Sequence, residues 1–426
     1  MQENHSFDNY FGVFPGVTNG LNLGICLPWN LTSPSQGCVK PFDADSIAVK
    51  VNSYSLGHSG TNSRTAYDGG KLDGFVYSQF LSRHTYANFS MAYYTNRTLP
   101  DYWDYASYYG LNANFFSSAI TTSYPNHLYA VAAQSGGITH DGVQYDLTFQ
   151  TIADELNASG ISWKYYTAQW NDKYDCTPLS SSTTFSRQYN GLWNPLVDFP
   201  RIQTSAYKPE CESIANLVDL RNDIQSGNLP SVAWISPNKS ASEHPGQGGF
   251  SPFLSRGQLY TSSIINEISS NPSLWSTTAI FVTWDEFGGY YDNVIPNQVD
   301  KYGFGFRVPL LVISPYVKPG ISYGSGGSEE DFSAFLSTIE SNWGLHSLTA
   351  RDASDAPLWY MFNFAQPPLE PLILPSHSLA TYPWQSCVSK GNCGIGSAPR
   401  TSPPPLIIPS NVTTGVSDSL DNDTFD

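Results

Sequence analysis

The chain has 426 residues, of which 40% are hydrophobic and only 13% charged, with 27 Tyr and 11 Trp. That length admits a sizeable core in one large domain or two ordinary ones, and the sparse charge suits a neutral, hydrogen-bonding surface of the secreted kind. A net charge of −16 without a basic stripe argues against nucleic acid as a partner, and it repels anions at long range, so a phosphate site here needs a local cation.

The chain opens on MQENHSFDNYFG, which crowds Glu3, Asn4, His5, Ser6 and Asp8 ahead of an aromatic turn. Residues 13–57 are rich in Gly, Pro, Asn and Ser and read as a long surface excursion. LPDYWDYASYYGLN (99–112) has Pro100 placed for a first helical turn. YDLTFQTIADELNASG predicts an amphipathic helix closed by Gly160, and ISWKYYTA (161–168) predicts a strand. SIANLVDLRNDIQSG and GQLYTSSIINEISSN read as helices, and SVAWISP, TTAIFVTW (277–284) and VPLLVISPYV (308–317) as strands. SEEDFSAFLSTIESNWGL (328–345) predicts a helix with an acidic first turn. This alternation predicts an α/β fold with a largely parallel central sheet, whose ligands sit at the carboxyl ends of the strands. From about residue 366 the chain turns Pro-rich, so the expected organisation is a catalytic domain over 1–365, a wrapping segment over 366–400 and a disordered acidic tail over 401–426.

Six cysteines form three close couples in sequence, Cys26 with Cys38, Cys176 with Cys211 and Cys387 with Cys393. Even number and local spacing favour disulfides in an oxidising compartment. Acceptor triplets for N-glycosylation at Asn30, Asn88, Asn96, Asn157, Asn238, Asn411 and Asn422 point the same way, each weakly on its own. No apolar run reaches the ~18 residues of a membrane span, so no transmembrane segment is expected.

Four stretches carry chemistry. In AIFVTWDEFGGYYDNV an apolar strand ends in Asp285-Glu286 and then Gly288-Gly289. Two adjacent carboxylates in a cleft push a pKa upward unless a cation joins them; the plainer alternative is an acidic turn closing a strand. Glu3-Asn4 offers hard oxygen ligands suited to Mg²⁺, Mn²⁺ or Ca²⁺ in preference to Zn²⁺, or else an ordinary turn. Ser123, ahead of Pro125-Asn126-His127, is placed at a helix amino terminus, where a nucleophile or a plain N-cap belongs. His58 and His244 lie in Gly- and Ser-rich loops, as catalytic histidines often do, while His84, His140, His346 and His377 have no supporting context.

ENHSFDNYFG resembles the opening motif of the phosphoesterase family that contains bacterial phospholipases C and acid phosphatases, within the alkaline-phosphatase-like superfamily. The resemblance continues in order through GHSGTNSRTAYDGGKLDGF (57–75), TTSYPNHLY (121–129), GISWKYY (160–166), VAWISPNKSASEHPGQGG (232–249), IFVTWDEFGGYYDNV (280–294), GFRVPLLVISPYVKPG (305–320) and FLSTIESNWGL followed by ARD. It implies a three-layer sandwich and a secreted phosphoric ester hydrolase with one divalent metal. The implied metal ligands are Glu3, Asn4, Ser123, Asp285 and Glu286, and the implied nucleophile is Ser123. His58 and His244 are expected at the phosphoryl or leaving group, His127 stands beside the nucleophile, and Lys71 and Asp73 are expected to support the site. The substrate is then a phosphate ester, with a phospholipid head group as one candidate.

The chain departs from that pattern. Asn293 stands where the resemblance expects histidine, His127 where it often has arginine, and the histidine after SPYVKPG is missing. In such proteins Glu-Asn ends the first, central strand, of which only Met1 and Gln2 remain. The recorded start is therefore expected to be internal, with the export signal and most of that strand lying before it. A sulfatase-like hydrolase, from the Ser-x-Pro-x-His pattern, and a catalytically silent secreted glycoprotein are the alternatives.

Overall fold

The computed structural model describes residues 1–142, 146–167, 192–203, 213–246 and 253–374. Short apolar runs become strands and amphipathic stretches become helices in the order that periodicity predicts. The elements that matter for the site are helix α1 (Phe7–Phe11), α2 (Gly60–Tyr67), α3 (Pro100–Tyr108), strand β1 (Gly110–Asn112), α4 (Ser123–Ala132), α5 (Ile152–Ala158), β2 (Trp163–Thr167), β3 (Ile214–Ala215), α6 (Leu217–Ser226), β4 (Val232–Ser236), α7 (Phe253–Ser269), β5 (Ile280–Thr283), β6 (Leu310–Ile313), β7 (Gly320–Ser322) and α8 (Ser333–Trp343).

Two sheets carry the architecture. One has the order β3-β2-β4 and is parallel throughout. Its side chains alternate between faces, as the two-residue period of a strand requires. Trp163 and Tyr165 pack with Leu128 of α4, Leu156 of α5 and Leu336 of α8, whereas Tyr166 packs with Leu220 of α6 and Ile264 of α7. Helices therefore cover both faces, giving the three layers expected.

The second sheet has the order β7-β1-β6-β5. Its centre, Leu310–Ile313, is wholly buried, so an unbroken apolar run is what the position demands. Strand β6 runs antiparallel to both β1 and β5, while β7 and β1 are parallel. This sheet is thus mixed, with β6 as the antiparallel strand. The reason lies in the link from β5 to β6: a parallel neighbour needs a long crossover, usually helical, and residues 284–309 contain no helix.

Residues 1–3 lie in the seam between the sheets. The Met1 amino group donates to Ile235 O of β4, Gln2 pairs in parallel with Trp284, and the Asp285 N–H donates to Gln2 O. The chain's first residues are thereby fixed at the carboxyl ends of β4 and β5.

Some local expectations change. The surface excursion over 13–57 carries buried anchors at Phe14, Leu27, Trp29, Val51 and Leu56, and Cys26 is disulfide-bonded to Cys38; the other two cysteine couples lie outside the described residues. Glu329, Glu330 and Asp331 precede α8 instead of forming its first turn. Buried Glu330 accepts from Asn112 and Tyr360, and buried Asp331 from Arg351, so these acids serve packing rather than the helix dipole. Asn238 is buried with its amide oxygen accepting from Ser240 and Ala241. Of the wrapping segment, Leu369 bonds to Pro315 and Trp275, and Leu374 exchanges two hydrogen bonds with Asn266. Residues 375–426, including the expected tail, lie outside the described residues.

A buried cation locks the amino-terminal segment to the loop after β5. Arg307 is fully buried, donates to Asp8 at 2.8 Å, Asp292 at 3.1 Å and Asn293 at 3.0 Å, and also donates to the carbonyls of Asn19 and Ala113. Its guanidinium stacks over Phe7 at 4.2 Å. Removing one partner of such a cluster leaves the other charges buried and unpaired. Arg307→Met is expected to cost about 3–5 kcal/mol in chemical denaturation, and Arg307→Lys to rescue little, because a point charge cannot replace the guanidinium fork. An unchanged denaturation midpoint in either variant would refute this account.

Candidate active site

The seam described above brings the two ends of the catalytic region together. Gln2 pairs beside Trp284, so Glu3-Asn4 emerge next to Asp285-Glu286. The Asn4 N–H donates to Asp285 Oδ1 at 2.8 Å. Asn4 takes a left-handed backbone with φ 64°, unusual for a residue other than glycine. Gly288 (φ 64°) packs against it, and a Cβ there would lie 1.9 Å from Asn4 O. Gly289 meets Leu56 and Gly57 in the same way, which draws the His58 loop onto the acidic turn. The paired glycines are therefore needed for close backbone approach.

Ser123 is the first residue of α4, behind Thr122, and neither side chain caps the helix. The plain N-cap reading therefore does not describe it. Its buried hydroxyl interacts with both Glu3 and Asp285. The turn ahead of it is tied by Asn126, which accepts from Ala119 N–H and donates to the carbonyls of Ala119 and Thr122. That explains the Asn of the Pro-Asn pair. His127, four residues on and hence on the same helical face, places Nε2 at 2.8 Å from Glu3 Oε1. Burial lowers its pKa to about 4, so the ring is neutral.

The structure thus gathers Glu3, Asn4, Ser123, His127, Asp285 and Glu286 into one buried cluster. Ligand atoms of Glu3, His127 and Asp285 all lie within 4.8 Å of one another. Desolvation raises Glu3 and Glu286 well above the ordinary carboxylate range and Asp285 to about 8, with repulsion from Glu3 adding to Asp285 and repulsion from Asp285 and Glu3 adding to Glu286. Glu3 Oε2, Asn4 Oδ1, Asp285 Oδ2 and Glu286 Oε1 are buried without a hydrogen-bond partner. No Lys or Arg pairs with these carboxylates among the described residues. Four orphaned oxygens on Glu3, Asn4, Asp285 and Glu286, three of them on carboxylates, suit a hard divalent cation in their chemistry.

His58 and His244 lie beside the cluster. Their rings are 5.4 Å apart and perpendicular. His58 Nδ1 bonds to Leu56 O and His244 Nδ1 to Pro245 O, which leaves Nε2 of each for chemistry. Burial, with His58 adjacent, lowers His244 to about 3. Residue 242 is joined to the metal-capable pair directly, since Glu3 N–H donates to Ser242 O.

One expected contributor falls elsewhere: Lys71 is exposed and pairs with Asp68. Asn293, which stands where the resemblance expects histidine, turns away, donating to Gly20 O and accepting from Arg307. Two groups to which the sequence reading gave no role are Asp141 and Glu243. Asp141 accepts from the Tyr124 N–H at the amino end of α4, and its charge raises Glu3 and Glu286. Isolated in a Gly-rich loop, it offers no signal in sequence; Glu243 stands next to His244 but looks like a surface acid.

Comparisons with known proteins agree with this geometry. The family model described as the Phosphoesterase family matches residues 1–346. "Phospholipase C A" of Mycobacterium tuberculosis is 26% identical over 484 residues, covering 98% of this chain and 87% of that protein. "Non-hemolytic phospholipase C" of Pseudomonas aeruginosa is 26% identical over 431 residues, covering 87% of this chain and 57% of that protein. Among solved structures, a protein in the alkaline phosphatase superfamily from Vibrio parahaemolyticus covers 60% of this chain and 64% of its own at 14% identity and a TM-score of 0.34, a likeness too slight to add weight.

The buried acids set a pH dependence. A carboxyl whose folded pKa is raised binds its proton more tightly folded than unfolded, so its contribution to stability is full below the unfolded pKa and is lost as pH rises through the folded value. The depressed histidines act oppositely, but only below their ordinary value near ~6.5. Between there and about 8, Glu3, Asp285 and Glu286 lose stability against the single opposing Met1 amino group, which is lowered to about 6. The metal-free protein is therefore expected to melt at a lower temperature at pH 8 than at pH 6.5, and a divalent cation to reverse that loss. A flat profile with and without cation in differential scanning calorimetry would contradict it.

Proposed function

Because the chain belongs to the Phosphoesterase family, whose members hydrolyse phosphoric esters, we propose that it is a secreted, metal-dependent enzyme of phospholipase C or acid phosphatase type acting through Ser123. The observation that supports this reading is the meeting of Glu3 and Asp285, from opposite ends of the catalytic region, beside the Ser123 hydroxyl, with Asn4 N–H bonded to Asp285. Glu3, Asn4, Asp285, Glu286 and the Ser123 hydroxyl would hold one divalent cation, calcium, magnesium or manganese. When bound, that ion neutralises phosphoryl oxygens and stabilises the serine alkoxide.

The chain's own residues do the rest. Ser123 Oγ attacks phosphorus in line; the new P–O bond forms as the ester P–O bond breaks, leaving a phosphoseryl group that water then cleaves. The Ser123 hydroxyl proton passes to water, and the ring of His244 or His58, protonated beside the bound anionic ester and fixed by Nδ1–H to a backbone carbonyl, gives its Nε2 proton to the departing oxygen. His127, neutral, steadies Glu3 by donating Nε2–H to its carboxylate. The local cation also answers the repulsion that a net charge of −16 imposes on an anionic ester.

Export is supported by the Cys26–Cys38 disulfide, since such bonds persist in oxidising compartments. No described helix is long and apolar enough to cross a membrane. We assign the domain to residues 1–365, with residues 366–374 packed against it.

The test compares an aryl phosphate monoester, a choline phosphodiester and an aryl sulfate, each with and without chelator. Phosphate release that chelator stops and Ser123→Ala lowers by about 10³-fold or more is expected. Turnover indifferent to chelator, or retained by Ser123→Ala, would exclude the mechanism. Preference for the sulfate would favour a sulfatase-like enzyme, and metal binding without turnover a silent binding protein.

A further inference from the structure

Glu243 is fully buried, yet no Lys or Arg is among its hydrogen-bond partners. Its carboxylate accepts from Tyr10 of α1 at 2.7 Å, from Tyr102 of α3, and from the Trp284 indole at 3.0 Å. The three rings close around it, Tyr10 and Tyr102 each meeting Trp284 edge-on at 5.1 Å. Helix α7 makes room: a Cβ on Gly257 would lie 2.1 Å from Glu243 Cγ and 2.2 Å from Oε1. Four elements are thus shaped to one carboxylate.

Burying a carboxylate is expensive, and an apolar side chain would fill the space more cheaply. What the carboxylate achieves is visible in the backbone. Residue 243 adopts φ 69°, a left-handed conformation that costs a non-glycine residue of order 1–3 kcal/mol and persists only where its surroundings enforce it. Its carbonyl meets His5 Nε2 at 3.1 Å, the preceding carbonyl holds Glu3, and the following residue is His244. Trp284, one of the three donors, precedes Asp285. The side chain therefore fastens a strained turn to the ends of both strands that carry the acidic cluster, and that turn sets where His244 stands.

We propose that Glu243 is a positioning residue of the hydrolase: its carboxylate, held by Tyr10, Tyr102 and Trp284, fixes the turn that presents His244 to the departing oxygen. The inference rests on the role given to His244 above. It asks nothing of Glu243 at phosphorus, so its effect should track the leaving group.

The test uses the metal-loaded enzyme with two phosphodiesters, one with a 4-nitrophenyl leaving group and one with a simple alkyl alcohol. Loss of a general acid costs about 10²–10⁴-fold where the leaving group needs its proton and little where it does not. His244→Ala is expected to lose turnover on the alkyl ester selectively. Glu243→Gln should reproduce that selectivity, with at least a ten-fold larger loss in kcat on the alkyl ester than on the aryl ester, in proportion to the effect of the missing acid. The double variant should lose no more than His244→Ala alone, because Glu243 acts through that ring. Equal losses on both esters, additivity in the double variant, or unchanged kinetics would overturn the proposal.

If Glu243→Gln does not fold, Tyr102→Phe, which removes one donor and keeps the ring, decides the matter. Selective loss on the alkyl ester supports the proposal and its absence refutes it. Ser123→Ala separates the two levels of inference. If that variant remains active, the serine mechanism fails; if it is inactive while Glu243→Gln loses both esters alike, the mechanism stands and the positioning role falls.

Discussion

The site depends on a single backbone pairing. Gln2 lies in parallel register with Trp284, its N–H donating to Thr283 O and its carbonyl accepting from Asp285 N–H, so that residues 281 positions apart, Asn4 and Asp285, meet at 2.8 Å. Every later feature follows from that register. A slip of one residue would turn the side chains of Glu3 and Asn4 to the opposite face, and the carboxylates after β5 would lose their partners. The left-handed turn at Asn4 and the glycine at 288 make sense only as accommodations to this contact, one aiming the amide inward and the other yielding space to its carbonyl.

Two buried acidic clusters among the described residues lie close together in sequence and are resolved differently. Asp8 and Asp292 share Arg307, whose fork also satisfies Asn293 and two backbone carbonyls. Nothing is left over there, and the cluster is a fastener. Glu3, Asp285 and Glu286 have a neutral histidine and a hydroxyl but no side-chain cation among the described residues, and each keeps an oxygen without a donor. Burial of unpaired carboxylates at this density is unfavourable by several kcal/mol per charge. A chain that supplies arginine to one cluster and withholds it from the other marks the second as a place for a charge from outside. Their proximity in sequence, Glu3 against Asp8 and Asp285 against Asp292, means that the fastener also holds the open cluster in register.

Much of this could be read in the sequence because it rests on local patterns. Strands such as Leu310–Ile313 and helices such as Leu217–Ser226, with its Asn216 cap and Gly227 terminus, follow from periodicity and capping chemistry. The acidic pair after a buried strand and the Glu-Asn pair were legible because few contexts tolerate them. What was not legible depends on long-range partners. The direction of β6 is decided by how residues 284–309 return without a helix, which no strand pattern encodes. Glu330 and Asp331 look like helix-dipole residues until Tyr360, Asn112 and Arg351 are seen around them. Asp141 and Glu243 matter through contacts made more than fifteen residues away in the chain, and such contacts leave no mark in a local window.

The departures at Asn293 and His127 carry different weight for the site's electrostatics. Asn293 is spent on Arg307 and Gly20. It therefore belongs to the fastener and not to the acidic cluster. His127 is another matter. An arginine at this position would bring a permanent charge into contact with Glu3, lower its pKa and contribute to holding an anionic ester. The buried imidazole, with its pKa lowered to about 4, contributes none of that charge near neutrality. Asp141 adds negative charge at the amino end of α4, where the helix dipole would otherwise favour an anion. Both changes act in one direction, so under the proposed mechanism the attraction of a phosphate ester would fall almost entirely on a cation held at Glu3, Asn4, Asp285 and Glu286.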